Sequence, residues 1–288
     1  MVWWLLGVVG LGVSGWGVLS TYRMLHPRPR PLTIPQSLPP VRTVSLVSRG
    51  REPFELWVLH ADQPRGVIVA CHGYHVHRLQ LIERAQGLCQ RGYTVLLFDL
   101  HGHGSRRGAC TFGVRDVEDI GVILHWLKQQ PELASLPVGV FGLSLGGAIA
   151  CQAAARFSEV RALVVDSMYA RLFPIMADAI RRLYHLPALP WAWVTWLGVQ
   201  VALGRRLSRV DPLVLASQIR RPILIIHGAG DESVPVEHAR ALYARWQGPK
   251  AQWIEPTVGH VGMSAADLAG YCDRVAGFFD QWLTPQSP

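Results

Sequence analysis

The sequence predicts an α/β fold, with a mostly parallel central sheet flanked by helices. Short apolar runs rich in β-branched residues alternate along the chain with segments whose apolar residues recur at helical spacing. Three residues of catalytic type, Ser144, Asp231 and His260, each come just past the end of a predicted strand. Because the carboxyl ends of parallel strands meet at one edge of a sheet, we expect these side chains to be neighbours.

The alternation assigns the elements in order along the chain. The predicted strands are Val41–Ser48, Phe54–Ala61, Gly66–Ala70, Val95–Phe98, Val138–Phe141, Ala162–Val165, Ile223–Ile226 and Gln252–Ile254. The predicted helices of the main body are Leu79–Gln90, Val114–Gln130, Leu145–Phe157, Val236–Trp246 and Ala265–Trp282. The first two strands follow each other through a short connection, which predicts an antiparallel pair at the start of the sheet.

The motif Gly-Leu-Ser-Leu-Gly at residues 142–146 is the most informative part of the chain. It lies between the apolar run Val138–Phe141 and an alanine-rich segment, so a strand turns into a helix at the serine. A serine at such a turn is held in a strained conformation. Side chains at the flanking glycines would collide with neighbouring elements. The pattern therefore indicates a nucleophile elbow at Ser144.

Further motifs accompany the elbow. They are Cys71-His-Gly-Tyr74, Asp99-Leu-His-Gly-His-Gly-Ser105, His227-Gly-Ala-Gly-Asp231-Glu-Ser-Val-Pro235 and Gly259-His260. With the elbow they place Ser, Asp and His in the chain order of the α/β-hydrolase superfamily, which the chain resembles over roughly residues 41–283. The resemblance is strongest to the branch that contains monoglyceride lipases and serine aminopeptidases. It implies the α/β-hydrolase fold and a serine nucleophile, and it leaves the substrate open.

Serine chemistry assigns a role to each residue of this set. A serine hydroxyl is a poor nucleophile until a base takes its proton, which His260 would do for Ser144. Asp231 would hold the imidazole in the productive tautomer and stabilise the imidazolium. The tetrahedral intermediate needs two N–H donors. One is the backbone N–H of Leu145 at the start of the helix, and the resemblance implies the N–H of Tyr74 as the other.

Several of these assignments have alternatives. Asp166 also ends a strand and is an alternative triad acid, although the motif around Asp231 favours Asp231. Ser144 would be a plain turn residue in an inactive relative. His227 is expected to order a loop, and Asp99 to belong to the structural loop after the fourth strand.

Five histidines on two loops raise the question of a metal site. They are His72, His75, His77, His101 and His103. Two of the five lie inside glycine-rich hydrolase motifs, which accounts for them without a metal. We therefore expect no metal and no cofactor.

Composition limits the classes of partner. The chain has 288 residues, half of them hydrophobic, which suits one large domain plus a short extra segment. Its formal charge of +8 favours anionic surfaces, but the sequence contains no nucleic-acid module, so we expect no nucleic-acid partner. The five cysteines form no C-x-x-C motif, which is typical of free thiols in a reducing compartment.

The amino-terminal segment is apolar. Residues 2–19 carry no charge, and as a helix they would span roughly 27 Å, close to the thickness of a bilayer core. Trp3, Trp4 and Tyr22 lie near the ends, and arginines follow. We expect residues 1–22 to be a single-pass membrane anchor, with the catalytic domain cytoplasmic and membrane lipid as a partner. A signal peptide is the alternative, but it requires a positive n-region and a cleavage site, which this segment lacks.

A linker over residues 23–40 is predicted to join the anchor to a hydrolase domain over residues 41–288. The stretch 27–40 contains six prolines, which favours an extended polyproline spacer. No predicted strand or site residue lies in residues 1–40. We therefore expect a chain without them to remain active on short-chain esters.

Residues 167–210 leave the alternating pattern and predict a helical cap inserted after the sixth strand. Tyr169–Tyr184 has apolar residues at helical spacing, and the almost wholly apolar run 191–203 ends at Arg205 and Arg206. Three tryptophans beside arginines would suit burial at a lipid interface. The alternative is an ordinary hydrophobic helix that packs on the domain.

The sequence therefore predicts a membrane-anchored serine hydrolase that cleaves carboxylic esters, with hydrophobic acyl or lipid-like groups, through an acyl-enzyme. A small-molecule ester is the expected substrate, because an apolar cap over the serine favours a hydrophobic ligand. A peptidase or amidase of the same fold is one alternative. It would need an acidic clamp for a substrate amine, whereas the cap carries arginines. A catalytically idle membrane scaffold is another, and the acyl chain length and oligomeric state remain open.

Overall fold

In the computed structural model, which describes residues 2–29, 38–50 and 52–283, eight strands form one sheet. They are β1 Arg42–Val47, β2 Pro53–Leu59, β3 Gly66–Cys71, β4 Tyr93–Phe98, β5 Val138–Leu143, β6 Val160–Asp166, β7 Ile223–Gly228 and β8 Lys250–Glu255. The helices are α1 Val2–Leu25, α2 Ile82–Cys89, α3 Asp116–Leu127, α4 Leu145–Arg156, α5 Leu172–Tyr184, α6 Ala188–Leu203, α7 Pro212–Leu215, α8 Glu237–Arg245, α9 Met263–Ala266 and α10 Leu268–Leu283.

The sheet has the strand order β1-β2-β4-β3-β5-β6-β7-β8. The pairs β1–β2 and β2–β4 are antiparallel, and every later pair is parallel. The predicted mostly parallel sheet and its antiparallel start are thus confirmed. Strand β5 lies between β3 and β6, so the elbow that follows β5 is flanked by the loops after both neighbours.

Helices cover both faces of the sheet. Side chains of α2 and α10 form the core on one face, and side chains of α3, α4 and α8 form the core on the other. The central strands β3, β4, β5 and β7 are buried along their whole length, as a parallel sheet covered on both sides requires. This double layer explains why their sequences are continuous apolar runs.

The predicted elements overlap the observed ones, with shifts of a few residues at the ends. One predicted helix, Ala265–Trp282, is divided into α9 and α10 at Asp267, which has an extended backbone. The Asp267 carboxylate accepts a hydrogen bond from the Gly270 N–H at 2.9 Å. This bond satisfies a donor at the start of α10, which is the role of an N-cap residue.

The amino-terminal segment differs from its prediction. No helix within the described residues is long and apolar enough to cross a membrane. The prediction of a single-pass anchor over residues 1–22 is therefore wrong. The cytoplasmic placement of the catalytic domain, which was derived from that anchor, is withdrawn with it. From Gly10 onward, where side chains are described, α1 packs against α6 of the same chain. The two helices make polar contacts of a kind that lipid chains could not provide. Ser20 and Thr195, both buried, place their hydroxyl oxygens 2.7 Å apart.

The predicted linker over residues 23–40 is described in part. Residues 27–29 and 38–40 have no regular structure, and the predicted polyproline conformation of residues 30–37 lies outside the described residues. The backbone carbonyls of Met24 and Leu25 accept hydrogen bonds from Tyr74 and Cys110 of the hydrolase body. The end of α1 is therefore in contact with the hydrolase body, which the local sequence pattern did not indicate.

Helices α5, α6 and α7 lie between β6 and β7, where the sequence predicts the cap. Helix α6 packs on α5 and α1 through a face that includes Ala192, Trp196 and Val199, which are buried. On another face Trp193 and Leu197 are 55% and 57% exposed. Helix α6 of the cap thus packs on other helices through one face and exposes apolar side chains on another.

Candidate active site

The elbow has the strained geometry that its motif predicts. Ser144 lies between β5 and α4 with φ 50° and ψ −112°, a conformation that costs a non-glycine residue about 1–3 kcal/mol. Its N–H donates to the Asp166 carbonyl at 2.8 Å. A Cβ on Gly142 would lie 2.3 Å from the Gly146 carbonyl oxygen, and one on Gly146 would lie 2.1 Å from the Cys71 carbonyl oxygen. The glycines therefore allow the backbones to approach.

Substituting Gly146 by alanine is expected to destabilise the fold by more than about 3 kcal/mol, because the blocking atoms belong to the backbone of β3 and cannot rotate away. The matched control is Gly277→Ala in α10, where a Cβ meets nothing within 4 Å. There we expect a gain of about 0.5–1 kcal/mol from helix propensity. Urea unfolding of both variants measures the difference, and equal stabilities would contradict the close approach at the elbow.

Ser144, His260 and Asp231 lie in one hydrogen-bonded chain. His260 Nε2 is 3.1 Å from Ser144 Oγ, and His260 Nδ1 is 2.6 Å from Asp231 Oδ2. Because a carboxylate only accepts, Nδ1 carries the proton and Nε2 is free to accept from the serine hydroxyl. The other carboxylate oxygen, Asp231 Oδ1, accepts from the N–H groups of Ser233 and Val234, each at 2.8 Å. The acid is therefore held at both oxygens.

Close backbone contact sets the spacing between the acid and the histidine. A Cβ on Gly228, the last residue of β7, would lie 2.0 Å from the Val258 carbonyl oxygen. The Gly230 N–H donates to the same carbonyl at 3.0 Å. The two glycines before Asp231 thus let its loop lie directly against the loop that carries His260.

Asp166, the alternative acid, has other partners. Its carboxylate accepts hydrogen bonds from the hydroxyls of Ser167 and Tyr271, each at 2.9 Å. Burial raises the pKa of Asp166, against the opposing effect of Arg84. The structure therefore brings Asp231 to the His260 ring and leaves Asp166 buried with Ser167 and Tyr271 as partners.

Sequence reasoning missed two contacts that hold the loop carrying His260. Ser167 Oγ accepts from the Val261 N–H at 3.0 Å, and the Arg84 guanidinium donates to the Val261 carbonyl at 3.2 Å. Both backbone groups of the residue after His260 are thus engaged. Nothing in the local pattern around Ser167 or Arg84 indicates this role, since the partners are 94 and 177 residues apart in the chain.

The two expected oxyanion donors belong to α4 and to the loop after β3, the strand that pairs with β5. Leu145 is the first residue of α4, where N–H groups have no intrahelical acceptor and the helix dipole attracts negative charge. Tyr74 follows β3, and the pairing of β3 with β5 places Cys71 opposite Gly142. The loop after β3 is further held by the Gly73 N–H, which donates to the Gln80 side-chain oxygen at 2.8 Å.

Comparison with known proteins decides the family. A family model described as "Serine aminopeptidase, S33" matches residues 62–208, just over half of the chain. The chain belongs to this serine aminopeptidase family. It is 27% identical over 222 residues to the uncharacterized protein YqkD of Bacillus subtilis, covering 76% of this chain and 72% of YqkD. It is also 27% identical over 233 residues to a monoacylglycerol lipase of Mycolicibacterium smegmatis, covering 67% and 79% of the two chains.

A solved structure gives the same fold. The esterase Pf2001 of Pyrococcus furiosus superposes with a TM-score of 0.72 at 23% identity, covering 89% of this chain and 98% of that one. Together with the family match and the lipase relative, this shared fold confirms the resemblance to the α/β-hydrolase superfamily. This member of the serine aminopeptidase family is a hydrolase of the α/β fold, with esterase- and lipase-like relatives.

The family motif that precedes Tyr74 contains a buried neutral histidine. His72 donates through Nδ1 to the Gly73 carbonyl at 2.7 Å and accepts through Nε2 from the Leu100 N–H at 3.0 Å. Burial, assisted by nearby His103, lowers the pKa of His72 to about 4. A neutral ring is required, since only one nitrogen faces an acceptor. His72 therefore ties the loop after β3 to the loop after β4.

This geometry predicts a pH dependence of stability. Between about pH 6.5 and pH 4 the unfolded chain binds a proton at His72 and the folded chain does not, so this group's stabilisation is lost as pH falls through that window. Burial raises the pKa of Asp211 to about 6, which acts in the opposite direction. The His72→Gln variant isolates the first effect. Its deficit in unfolding free energy against wild type should shrink by about 2 kcal/mol between pH 8 and pH 5.

Urea unfolding of wild type and variant at several pH values provides the measurement. Because both chains keep Asp211 and the other titrating groups, those contributions cancel in the difference. A deficit that is the same at pH 8 and pH 5 would show that His72 titrates equally in the folded and unfolded chain.

His101 and His103, on the loop after β4, have protein partners. His103 Nδ1 is 2.9 Å from the His101 carbonyl oxygen, and His101 Nε2 is 2.9 Å from an Asp119 carboxylate oxygen. His227 Nε2 donates to the Val234 carbonyl at 2.8 Å, so it orders the loop that carries Asp231. Among the residues that the structure describes, no group of three His, Cys, Asp or Glu side chains is arranged to hold a metal ion.

Proposed function

We propose that the protein is a serine esterase that cleaves carboxylic esters with hydrophobic acyl groups through an acyl-enzyme. The single observation that carries this proposal is the hydrogen-bonded chain from Ser144 through His260 to Asp231 at a nucleophile elbow. Two N–H donors, from Leu145 and Tyr74, complete the set that acyl transfer needs. The esterase and lipase relatives support the same reaction class.

The reaction proceeds in two halves. Ser144 Oγ attacks the ester carbonyl carbon while His260 Nε2 takes the hydroxyl proton, and the carbonyl oxygen becomes an oxyanion bound by the two N–H groups. The intermediate collapses, His260 returns the proton to the departing alkoxide, and the acyl group remains on the serine. Water, deprotonated by His260, then attacks the acyl carbon by the same route and releases the carboxylic acid. Asp231 stabilises the imidazolium in both halves.

Esters fit the cap better than peptides do. A clamp for a substrate amine needs a carboxylate without a cationic or N–H partner, and residues 167–211 contain two acidic residues, Asp178 and Asp211. Asp178 pairs with Arg181 at 3.2 Å, and Asp211 accepts from the Leu172 N–H at 3.0 Å. Both carboxylates are thus engaged in the cap's own structure.

The apolar cap supports a hydrophobic acyl group. Phe173, Trp193 and Trp196 pack edge to face, and they line a cavity of about 250 Å³ within the cap. Ser144 does not line that cavity, so the predicted acyl preference rests on the apolar character of the cap as a whole. Extending the acyl chain increases the apolar area available for contact, and this is the basis for the predicted preference.

A substrate series tests the proposal. The full chain is assayed on p-nitrophenyl esters from acetate to decanoate, on aminoacyl p-nitroanilides, and with a fluorophosphonate probe. We expect probe labelling, ester turnover, and a kcat/KM that rises with acyl length. Faster turnover of the anilides would favour a peptidase, and absence of both labelling and turnover would favour a catalytically idle scaffold.

A further inference from the structure

The end of α1 reaches the loop that carries Tyr74. We call His72–His75 the oxyanion loop and Met24–Arg28 the N-terminal strap. The Tyr74 hydroxyl donates to the Met24 carbonyl at 2.7 Å, and His75 Nδ1 lies 2.8 Å from the Arg28 carbonyl oxygen. Since a carbonyl only accepts, the His75 ring donates through Nδ1. The strap thus holds two successive residues of the oxyanion loop.

The strap also holds the loop that packs behind Tyr74. The Cys110 N–H donates to the Leu25 carbonyl at 2.6 Å. Two residues later, the Phe112 ring stacks on the Tyr74 ring with centroids 6.0 Å apart and planes 26° apart. The Tyr74 ring also meets the His103 ring edge to face, with centroids 5.6 Å apart. The side chain of Tyr74 is therefore fixed by its hydroxyl at one end and by ring contacts along its length.

These acceptors are available because α1 ends there. Met24 and Leu25 are the last two residues of the helix, where carbonyl groups lack intrahelical donors and carry the negative end of the helix dipole. Burial raises the pKa of the Tyr74 hydroxyl, which keeps it protonated and able to donate. A partly buried hydroxyl that lost this acceptor would have to find another one, and the ring would move with it.

Helix α1 is itself fixed, so the strap is not a free end. The Trp16 indole N–H donates to the Trp191 carbonyl at 3.3 Å, and Ser20 and Thr195 are in hydrogen-bond contact. A Cβ on Gly198 of α6 would lie 2.1 Å from the Thr21 hydroxyl oxygen, so the two helices approach closely. The position of the strap is thereby set by the cap.

We propose that the N-terminal strap positions the oxyanion loop by holding the Tyr74 hydroxyl, so that the Tyr74 N–H faces the developing oxyanion. This inference rests on the proposed esterase function. It makes residues before the hydrolase motifs part of the active-site framework, and it links the cap, through α6 and α1, to transition-state stabilisation. The contribution is to positioning, since the donor itself is the backbone N–H and the strap touches no reacting atom.

The Tyr74→Phe variant of the full chain tests the proposal. It keeps the ring contacts and the backbone N–H and removes only the hydroxyl that reaches Met24. Deleting an oxyanion donor outright costs roughly 10²- to 10³-fold in kcat. Displacing one should cost less, so we expect kcat to fall about 10-fold and KM to change less than 2-fold.

The inhibition constant of a trifluoromethyl ketone distinguishes positioning of the oxyanion donor from a purely structural role, which would leave this constant unchanged. Ser144 Oγ adds to its carbonyl carbon, the carbonyl electron pair becomes an oxyanion, and the serine proton passes to His260. We expect the inhibition constant of the ketone to rise by about the same factor as kcat falls. The control is Tyr184→Phe, which removes an Arg23 contact with α5 at 3.4 Å while the ring stays against Trp16. It should leave both values unchanged.

Two results would overturn the inference, and they differ from each other. A wild-type chain that neither turns over esters nor binds the ketone would overturn the proposed function and this inference with it. A reactive wild-type chain in which Tyr74→Phe matches Tyr184→Phe in kcat and in ketone affinity would overturn the inference alone. Parallel loss of kcat and ketone affinity in Tyr74→Phe only would support it.

Discussion

Replacing Ser144 by alanine is expected to reduce ester turnover by roughly 10⁵- to 10⁶-fold and to abolish labelling by a fluorophosphonate. The magnitude is that of removing the nucleophile from a serine triad, where the remaining donors still bind substrate but no acyl-enzyme forms. Within the described part of the chain the hydroxyl makes one hydrogen bond, to His260 Nε2 at 3.1 Å, and other groups hold the backbone of the elbow. The variant should therefore fold as the wild type does.

The matched control is Ser158→Ala, an exposed serine in the turn between α4 and β6. It should keep wild-type kcat and full labelling. Circular dichroism and urea unfolding verify that both variants are folded. Wild-type labelling of Ser144→Ala would remove Ser144 from the role of nucleophile.

Replacing Asp231 by asparagine is expected to lower kcat by about 10⁴-fold, the loss seen when the acid of a serine triad becomes an amide. The N–H groups of Ser233 and Val234 would keep the amide oxygen on their side, so the amide NH₂ would face His260 Nδ1. The histidine must then accept at Nδ1 and carry its proton on Nε2. In that tautomer it cannot take the proton of Ser144.

Asp166→Asn is the matched control. Its carboxylate accepts from the Ser167 and Tyr271 hydroxyls, which can rotate to suit an amide, so we expect less than about a 10-fold loss of kcat. Steady-state kinetics of the two variants on one short-chain ester ranks them. The reverse ranking would transfer the role of triad acid to the end of β6.

The predicted strands and the elbow depend on local patterns, and this is why the sequence was sufficient for them. A strand buried on both faces must be apolar throughout, and a close backbone approach such as that at Gly146 accepts only glycine. Both features are therefore visible in the residue types of a short stretch of sequence. The same holds for the Gly-x-Gly that precedes Asp231. Its first glycine lies against the carbonyl of Val258.

No short stretch of sequence indicates where the amino-terminal helix packs. An apolar segment buries equally well in lipid or against another helix, and composition alone does not separate the two. What distinguishes them is the partner: Ser20 meets Thr195 and Thr21 meets Gly198, contacts that join residues more than 170 positions apart. The predicted anchor failed for this reason.

By itself the sequence determined the order of strands and helices, the elbow at Ser144, and the candidates Asp231 and His260, because each is encoded by residue types within a short window. Only the tertiary structure decided which carboxylate reaches His260 and where α1 docks. Both outcomes depend on distances between segments that are far apart in the chain. Such distances are set by how the sheet, the cap and α1 pack together, and no local pattern records them.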